Sequence, residues 1–118
     1  MLSYLAGLAE SLDCHKIAIA AHSGDHHIYP DCRPEFISYM GDAIRLGTYK
    51  NIRLSAPFKN LSKAEVAAIG LGLNAPLGLS WTCYKGEEVH CGVCGACTER
   101  KEAFALNSIP DPTVYKEV

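Results

Sequence analysis

No stretch of this chain approaches the roughly 20 consecutive apolar residues of a membrane-spanning helix, although hydrophobic residues make up 48% of its 118 residues. The opening MLSYLAGLAE lacks a basic start, so a secretory leader is not expected and a reducing, cytoplasmic setting is. A surplus of basic charge is also missing: 11 Lys and Arg stand against 13 Asp and Glu, for a formal net charge of −2. That balance speaks against a large nucleic-acid footprint, which draws on many Lys and Arg contacts to phosphate. Internal repeats and low-complexity tracts are absent, which excludes a repeat architecture. A single domain, or part of one, fits this length, and a chain of this size can bury a core without relying on disulfides.

What the chain does have is sulfur. Four of its six cysteines fall within CYKGEEVHCGVCGAC, spaced Cys83-x7-Cys91-x2-Cys94-x2-Cys97. In a reducing setting such a cluster reads as a metal site rather than as disulfides. Four thiolates make a closed tetrahedral zinc site, structural because no coordination position stays open. Gly92 and Gly95 fit ligand loops that turn sharply around an ion. Iron–sulfur ligation also uses Cys-x2-Cys-x2-Cys, but with its further cysteine downstream and before a proline. Here the fourth ligand is upstream at Cys83 and Thr98 follows Cys97, so zinc is the expected ion. His90, next to Cys91, reads as a surface residue. Cys14 and Cys32 stand alone and read as small buried hydrophobes.

The apolar periodicity predicts a helix over residues 1–12 with Leu2, Leu5, Leu8, Ala9 and Leu12 on one face. KIAIAAHSG then reads as a buried strand and DHHIYPDCRP as a loop. A second helix is expected over residues 35–46, with Phe36, Ile37, Met40, Ala43, Ile44 and Leu46 apolar and Gly47 its stop. NIRLSAPF reads as the next strand. A helix follows with Ser62 as N-cap and Glu65 closing a capping box, ending at Gly70 or Gly72. A short strand at residues 79–82 and a last helix over residues 94–106 complete the pattern. Alternating helices and apolar strands predict an α/β fold with a parallel sheet. Two strands are too few for an independent sheet, so strands preceding Met1 are expected.

Two polar stretches stand where ligands bind. AHSGDHHIYPDCR follows the first strand, at the carboxyl end where open α/β sheets receive ligands. Asp25 and Asp31 can accept hydrogen bonds from a heterocycle, Tyr29 can stack on a planar ring, and Arg33 can pair with an anion. A plain surface loop reads equally well from composition, and His22, His26 and His27 read as hydrogen-bonded core or rim residues rather than as a second metal site. In LSKAEV, Lys63 at a helix start suits a phosphate, although alone it is as well read as a solvated lysine.

YPDCRPEF, APFKNLSKAEV, WTCY and HCGVCGACTERKEAF, in this order and spacing, resemble the 7-cyano-7-deazaguanine (preQ0) synthases of queuosine biosynthesis, the ExsB-type proteins among the PP-loop ATP pyrophosphatases. The resemblance runs from near Met1 to about Thr113. It implies a partial Rossmann-like sheet of the adenine nucleotide α-hydrolase type over residues 1–78, and a zinc-binding cap and tail over residues 79–118. It further implies an ATP-dependent C–N ligase that turns 7-carboxy-7-deazaguanine and ammonia into the nitrile. The carboxylate is adenylated, ammonia displaces AMP to give an amide, and a second activation dehydrates the amide. Carried over by motif, Cys83, Cys91, Cys94 and Cys97 match the zinc ligands. Asp25, Tyr29, Asp31 and Arg33 match a loop near the substrate, and Lys63 a lysine that approaches phosphates of ATP. The family also suggests a homodimer.

One departure is large. The family opens on a strand and the pyrophosphate-gripping loop SGGxDS, and no such stretch occurs here; HSGDHH lacks both the second glycine and the final serine. The chain is therefore expected to be a C-terminal portion that is inactive alone. Two alternatives remain open: a tRNA-thiolating relative with an iron–sulfur cluster, and a non-enzymatic zinc module that binds a partner or nucleic acid. The second needs a basic face, yet Glu87, Glu88, Glu99 and Glu102 offset Lys85, Arg100 and Lys101.

Overall fold

A computed structural model describes residues 1–86 and 88–116. Glu87, counted above with the acidic residues beside the cysteines, and the last two residues of the tail lie outside the described residues. The elements run α1 (Leu2–Ser11), β1 (Lys16–Ala18), α2 (Pro34–Gly47), β2 (Arg53–Ser55), α3 (Lys63–Gly72) and α4 (Gly95–Leu106), with short 3-10 turns at Ser23–His27, Pro30–Cys32 and Leu77–Leu79. They fall into two compact units, Met1–Leu61 and Ser62–Val118. No helix among the described residues is long and apolar enough to cross a membrane.

The first unit has the expected α/β character. β1 and β2 pair in parallel with Ile17 opposite Leu54, and Ile19 N–H extends the ladder to Ser55 O at 2.9 Å. The sheet is not buried as the apolar run suggested: Lys16 and Ala18 are exposed and Ile17 is half-buried. One face alone meets the core, in which Ile17, Ile19 and Leu54 pack on Leu2, Ala6, Ala9, Ile44 and the fully buried Ile52. Alternation along a strand sends the residues between them to the open face.

α1 also turns a different side inward than expected. Leu2, Ala6 and Ala9 are buried, whereas Leu8 and Leu12 are exposed. Small alanines let the helix approach the sheet closely, and the leucines are left outside. In α2, Ile37 and Ile44 are buried but Phe36 and Leu46 are exposed. Pro34 takes its first position, where a missing N–H costs nothing. The helix ends as predicted at Gly47, though the hydrogen bonds that shape the ending come from Thr48. Its Oγ1 donates to Ile44 O at 2.9 Å and accepts from Ile52 N–H at 3.0 Å, which leads the chain into β2. Cys14, expected inside, is exposed just past the end of α1.

In the second unit the capping box forms as read. Ser62 Oγ accepts from Glu65 N–H at 3.3 Å, while Glu65 Oε2 accepts from Ser62 N–H at 2.7 Å. α3 packs on α4, and Asn107 Nδ2 joins them by donating to Ala64 O at 2.9 Å and Ala103 O at 2.7 Å. The short strand expected at residues 79–82 does not form; Leu77–Leu79 is a 3-10 turn and the chain beyond it is irregular. α1, α3 and α4 share one ending. Asp13, Asn74 and Ser108 take φ of 60°, 54° and 55°, and the next residue's N–H reaches back to Ala9, Gly70 and Phe104. These are Schellman endings built without glycine at the left-handed position.

Candidate functional site

The Sγ atoms of Cys83, Cys91, Cys94 and Cys97 lie within 4.8 Å of one another. Cys83 and Cys91 come from the irregular segment before α4, Cys94 caps the helix, and Cys97 sits in its first turn with no exposed surface. Backbone N–H groups aim at the sulfurs: Lys85 and Cys91 each donate to Cys83 Sγ at 3.4 Å, and Cys94 donates to Cys91 Sγ at 3.3 Å. Donors from the Cys91 and Lys85 backbone hold the Cys83 thiol below its ordinary range. Backbone N–H groups of Tyr84 and Cys97 bring Cys94 down to about 6. Burial pushes Cys97 up to about 12. A bound cation's charge offsets that of its ligands and lets all four thiols ionise together. The donor set fits a metal ion.

Gly92 turns the loop with φ of +75°, and a Cβ there would stand 3.1 Å from Lys101 Nζ and 3.4 Å from the Tyr115 ring. Gly95 plays no such part. It is the first residue of α4, has no positive φ, and a methyl group added there would meet nothing within 4 Å. His90 is not a surface residue. It is 5% exposed, stacks on Trp81 with ring centroids 4.2 Å apart, and its Nε2 accepts from Thr82 N–H at 3.1 Å. His90 therefore ties the Cys83 arm to the Cys91 arm from outside the sulfur cluster, and Trp81 Nε1 adds a hydrogen bond to Cys83 O at 2.7 Å.

Arg100 is likewise withdrawn from the surface. At 7% exposure it donates to Asp111 Oδ1 at 3.1 Å, Ser80 Oγ at 2.7 Å and Leu77 O at 2.9 Å, and lies over the Phe104 ring. Burial pushes the Asp111 carboxyl up, but hydrogen bonds from Tyr115, Thr113 and Arg100 outweigh it and hold the group below the usual range. Burial and Asp111 raise the Tyr115 hydroxyl well above its usual range, so it stays a donor. The basic face that a nucleic-acid module needs loses Arg100 to this network and Lys101 to Gly92 O, 2.9 Å away. Sequence reading missed Asp111 and Tyr115; the only signal was an aspartate pinned between two prolines in IPDPTVY.

In the first unit, the loop after β1 holds the other expected residues. Asp25 lies in the Ser23–His27 turn with its carboxylate 3.2 Å from His22 Nε2, and its carbonyl accepts from Tyr29 N–H at 2.8 Å. Arg33 Nε donates to His26 O at 3.0 Å, folding its side chain along the loop. Asp31 is exposed in the Pro30–Cys32 turn and Tyr29 is half-buried just before it. The loop thus brings Asp25, Tyr29, Asp31 and Arg33 onto two successive turns. Burial, then Asp25 and Asp31, raises the Cys32 thiol above its ordinary range. Among the described residues His26 Nε2 is buried without a hydrogen-bond partner. In the second unit Lys63, the first residue of α3, has its ammonium 2.8 Å from Glu99 Oε2 on α4.

A profile of the family described as queuosine biosynthesis protein QueC matches residues 1–108. The 7-cyano-7-deazaguanine synthase of Porphyromonas gingivalis is 50% identical over 116 residues, 98% of this chain and 53% of that protein. The proteins of the same name from Pseudoalteromonas atlantica and Desulfotalea psychrophila are 47% and 46% identical, again over 98% of this chain and 53% and 52% of theirs. The chain spans about half the length of the curated relatives it matches.

Proposed function

The chain belongs to the queuosine biosynthesis QueC family, and from that premise we propose that it supplies the metal clamp and one substrate wall of a 7-cyano-7-deazaguanine synthase. The observation that carries this is identity near one half across 98% of the chain, together with four thiols gathered at one point. The reaction is ATP-dependent conversion of 7-carboxy-7-deazaguanine and ammonia to the nitrile in a cytoplasmic enzyme. Oxygen leaves the carboxyl group only once it carries an adenylyl group, so AMP is the leaving group when ammonia adds. The second oxygen leaves by the same device when the amide is dehydrated.

Within that scheme Asp25 and Asp31 accept from the N–H edge of the deazaguanine, Tyr29 packs against its ring, and Arg33 offsets the carboxylate. Lys63 meets phosphate oxygens of ATP, which compete with Glu99 for its ammonium. A sheet of Rossmann type, larger than β1 and β2, surrounds these residues in the whole enzyme. The exposed Leu8, Leu12, Ile28, Phe36 and Tyr39 support self-association as a homodimer; a monomeric mass by sedimentation would count against it.

Zinc is the ion of the thiolate centre. A zinc–sulfur bond of ~2.3 Å places four tetrahedral sulfurs roughly 3.8 Å apart, within the 4.8 Å span found here. The cysteine sulfurs of a [4Fe–4S] cluster each bind a different iron, and those of a [2Fe–2S] cluster are divided between two, so across the cluster they stand further apart. The ion holds its ligands together and lowers their charge repulsion; it does no chemistry on substrate. Elemental analysis with one zinc and no iron per chain is the expected result.

The decisive experiment replaces the matching half of the Porphyromonas gingivalis relative with these 118 residues. The chimera is expected to form the nitrile with ATP, ammonia and 7-carboxy-7-deazaguanine, while the 118-residue chain alone forms none. A folded, zinc-loaded chimera without nitrile product would overturn the assignment.

A further inference from the structure

The tail after α4 reaches back to the thiolate loop at His90, at Gly92 and at the buried cysteines. Tyr115 packs against the buried cysteines, and its ring covers Gly92 closely enough that a methyl group there would touch it at 3.4 Å. The Lys101 ammonium stands 4.3 Å above that ring and donates to Gly92 O, so ring, loop and α4 form one layer. The backbone joins in as well: His90 and Tyr115 form a parallel bridge, and Lys116 N–H donates to His90 O at 2.8 Å. His90 is the residue before Cys91 and already holds the Cys83 arm through Thr82. On the other side, the Tyr115 hydroxyl donates to Asp111 Oδ2, and Asp111 Oδ1 accepts from Arg100, one turn beyond Cys97 on α4.

These contacts have a common effect. A thiolate centre loses its ion when water or a competing ligand reaches a sulfur and one arm swings away. Here one arm is pinned through His90, the helix arm through Arg100, and the face between them is covered by an aromatic ring. We propose that residues Asp111–Tyr115 are a strap that closes the metal centre, with Tyr115 as the cover and the Arg100–Asp111 pair as its latch. The strap governs how slowly a bound ion leaves rather than whether the ligands can bind it. Tyr115, Asp111 and Arg100 are positioning residues that act through the cysteines. Their role rests on the reading of the four thiols as a metal site.

The test uses the full chain loaded with zinc and then challenged with excess chelator, release being followed by a colorimetric zinc indicator. Tyr115→Ala and Asp111→Asn are expected to speed release about tenfold or more, the scale seen when outer residues of metal sites are removed. Tyr115→Phe keeps the ring but drops the hydroxyl and should fall between. Val114→Ala, at an exposed position of the strap whose side chain makes none of these contacts, should match the unaltered chain. Cobalt-substituted samples keep the tetrahedral thiolate spectrum in all variants before the challenge, because no ligand has been removed. Should Tyr115→Ala lose its helical circular dichroism, Asp111→Asn and Tyr115→Phe decide. Release within twofold of the unaltered chain in Asp111→Asn and in the ring variants overturns the strap. An unaltered chain that binds no zinc overturns the metal reading itself, and the strap with it.

Discussion

Gly92 and Gly95 look alike in sequence and differ in what the fold asks of them. With φ at +75° and Lys101 and Tyr115 closing in on it, Gly92 has both a backbone and a space requirement. Gly95 has neither, and opens a helix. Gly92→Ala is therefore expected to lower the stability of the zinc-loaded second unit by roughly 1–2 kcal/mol, and Gly95→Ala to leave it unchanged or raise it by up to about 1 kcal/mol. Thermal melts of the two variants side by side check this; equal losses would mean that the loop does not depend on its left-handed residue. Spacing in the sequence placed both glycines among the cysteines, but a backbone angle has no signature in spacing.

At the scale of elements, the start of α3 carries its own acid sensitivity. Hydrogen bonds from the Ser62 backbone and then its side chain hold the Glu65 carboxyl below its ordinary value. A depressed carboxylate stabilises the fold above its unfolded value and loses that contribution as pH falls through the folded one. Ser62→Ala should cost about 1 kcal/mol at neutral pH. Glu65→Gln should flatten the part of the acid transition that lies below about pH 4.3. Hydrogen exchange at the first amides of α3 reads both effects. The capping box was legible because local residues alone define that helix start, whereas Pro34, read with the loop, is the first residue of α2. Burial faces were not. An apolar run such as KIAIAA does not say how many of its faces will be covered, and α1 carries apolar residues on both its packed and its open sides. The sulfur cluster was legible from spacing, whereas Arg100, Asp111 and Tyr115 meet only through the fold and follow no period.

Across the whole molecule the two units are stabilised by different means. The first has an aliphatic core around Ile52. The second gathers its buried residues around Cys83, Cys91 and Cys97, with Ala103 and Phe104 as its buried apolar side chains. Metal binding should therefore be coupled to folding in the second unit and not in the first. Loading the chain with zinc and then stripping it is expected to abolish hydrogen-exchange protection in α4 while leaving α1 and α2 protected; uniform loss, or none, would contradict it. The crowding of sulfur has a last consequence, for the stripped protein in air. Thiols within 4.8 Å of one another are neighbours that oxygen can weld. Demetallation in a reductant-free buffer should therefore behave as a ratchet, with fewer titratable thiols each hour and re-zincation recovered only after a phosphine is added.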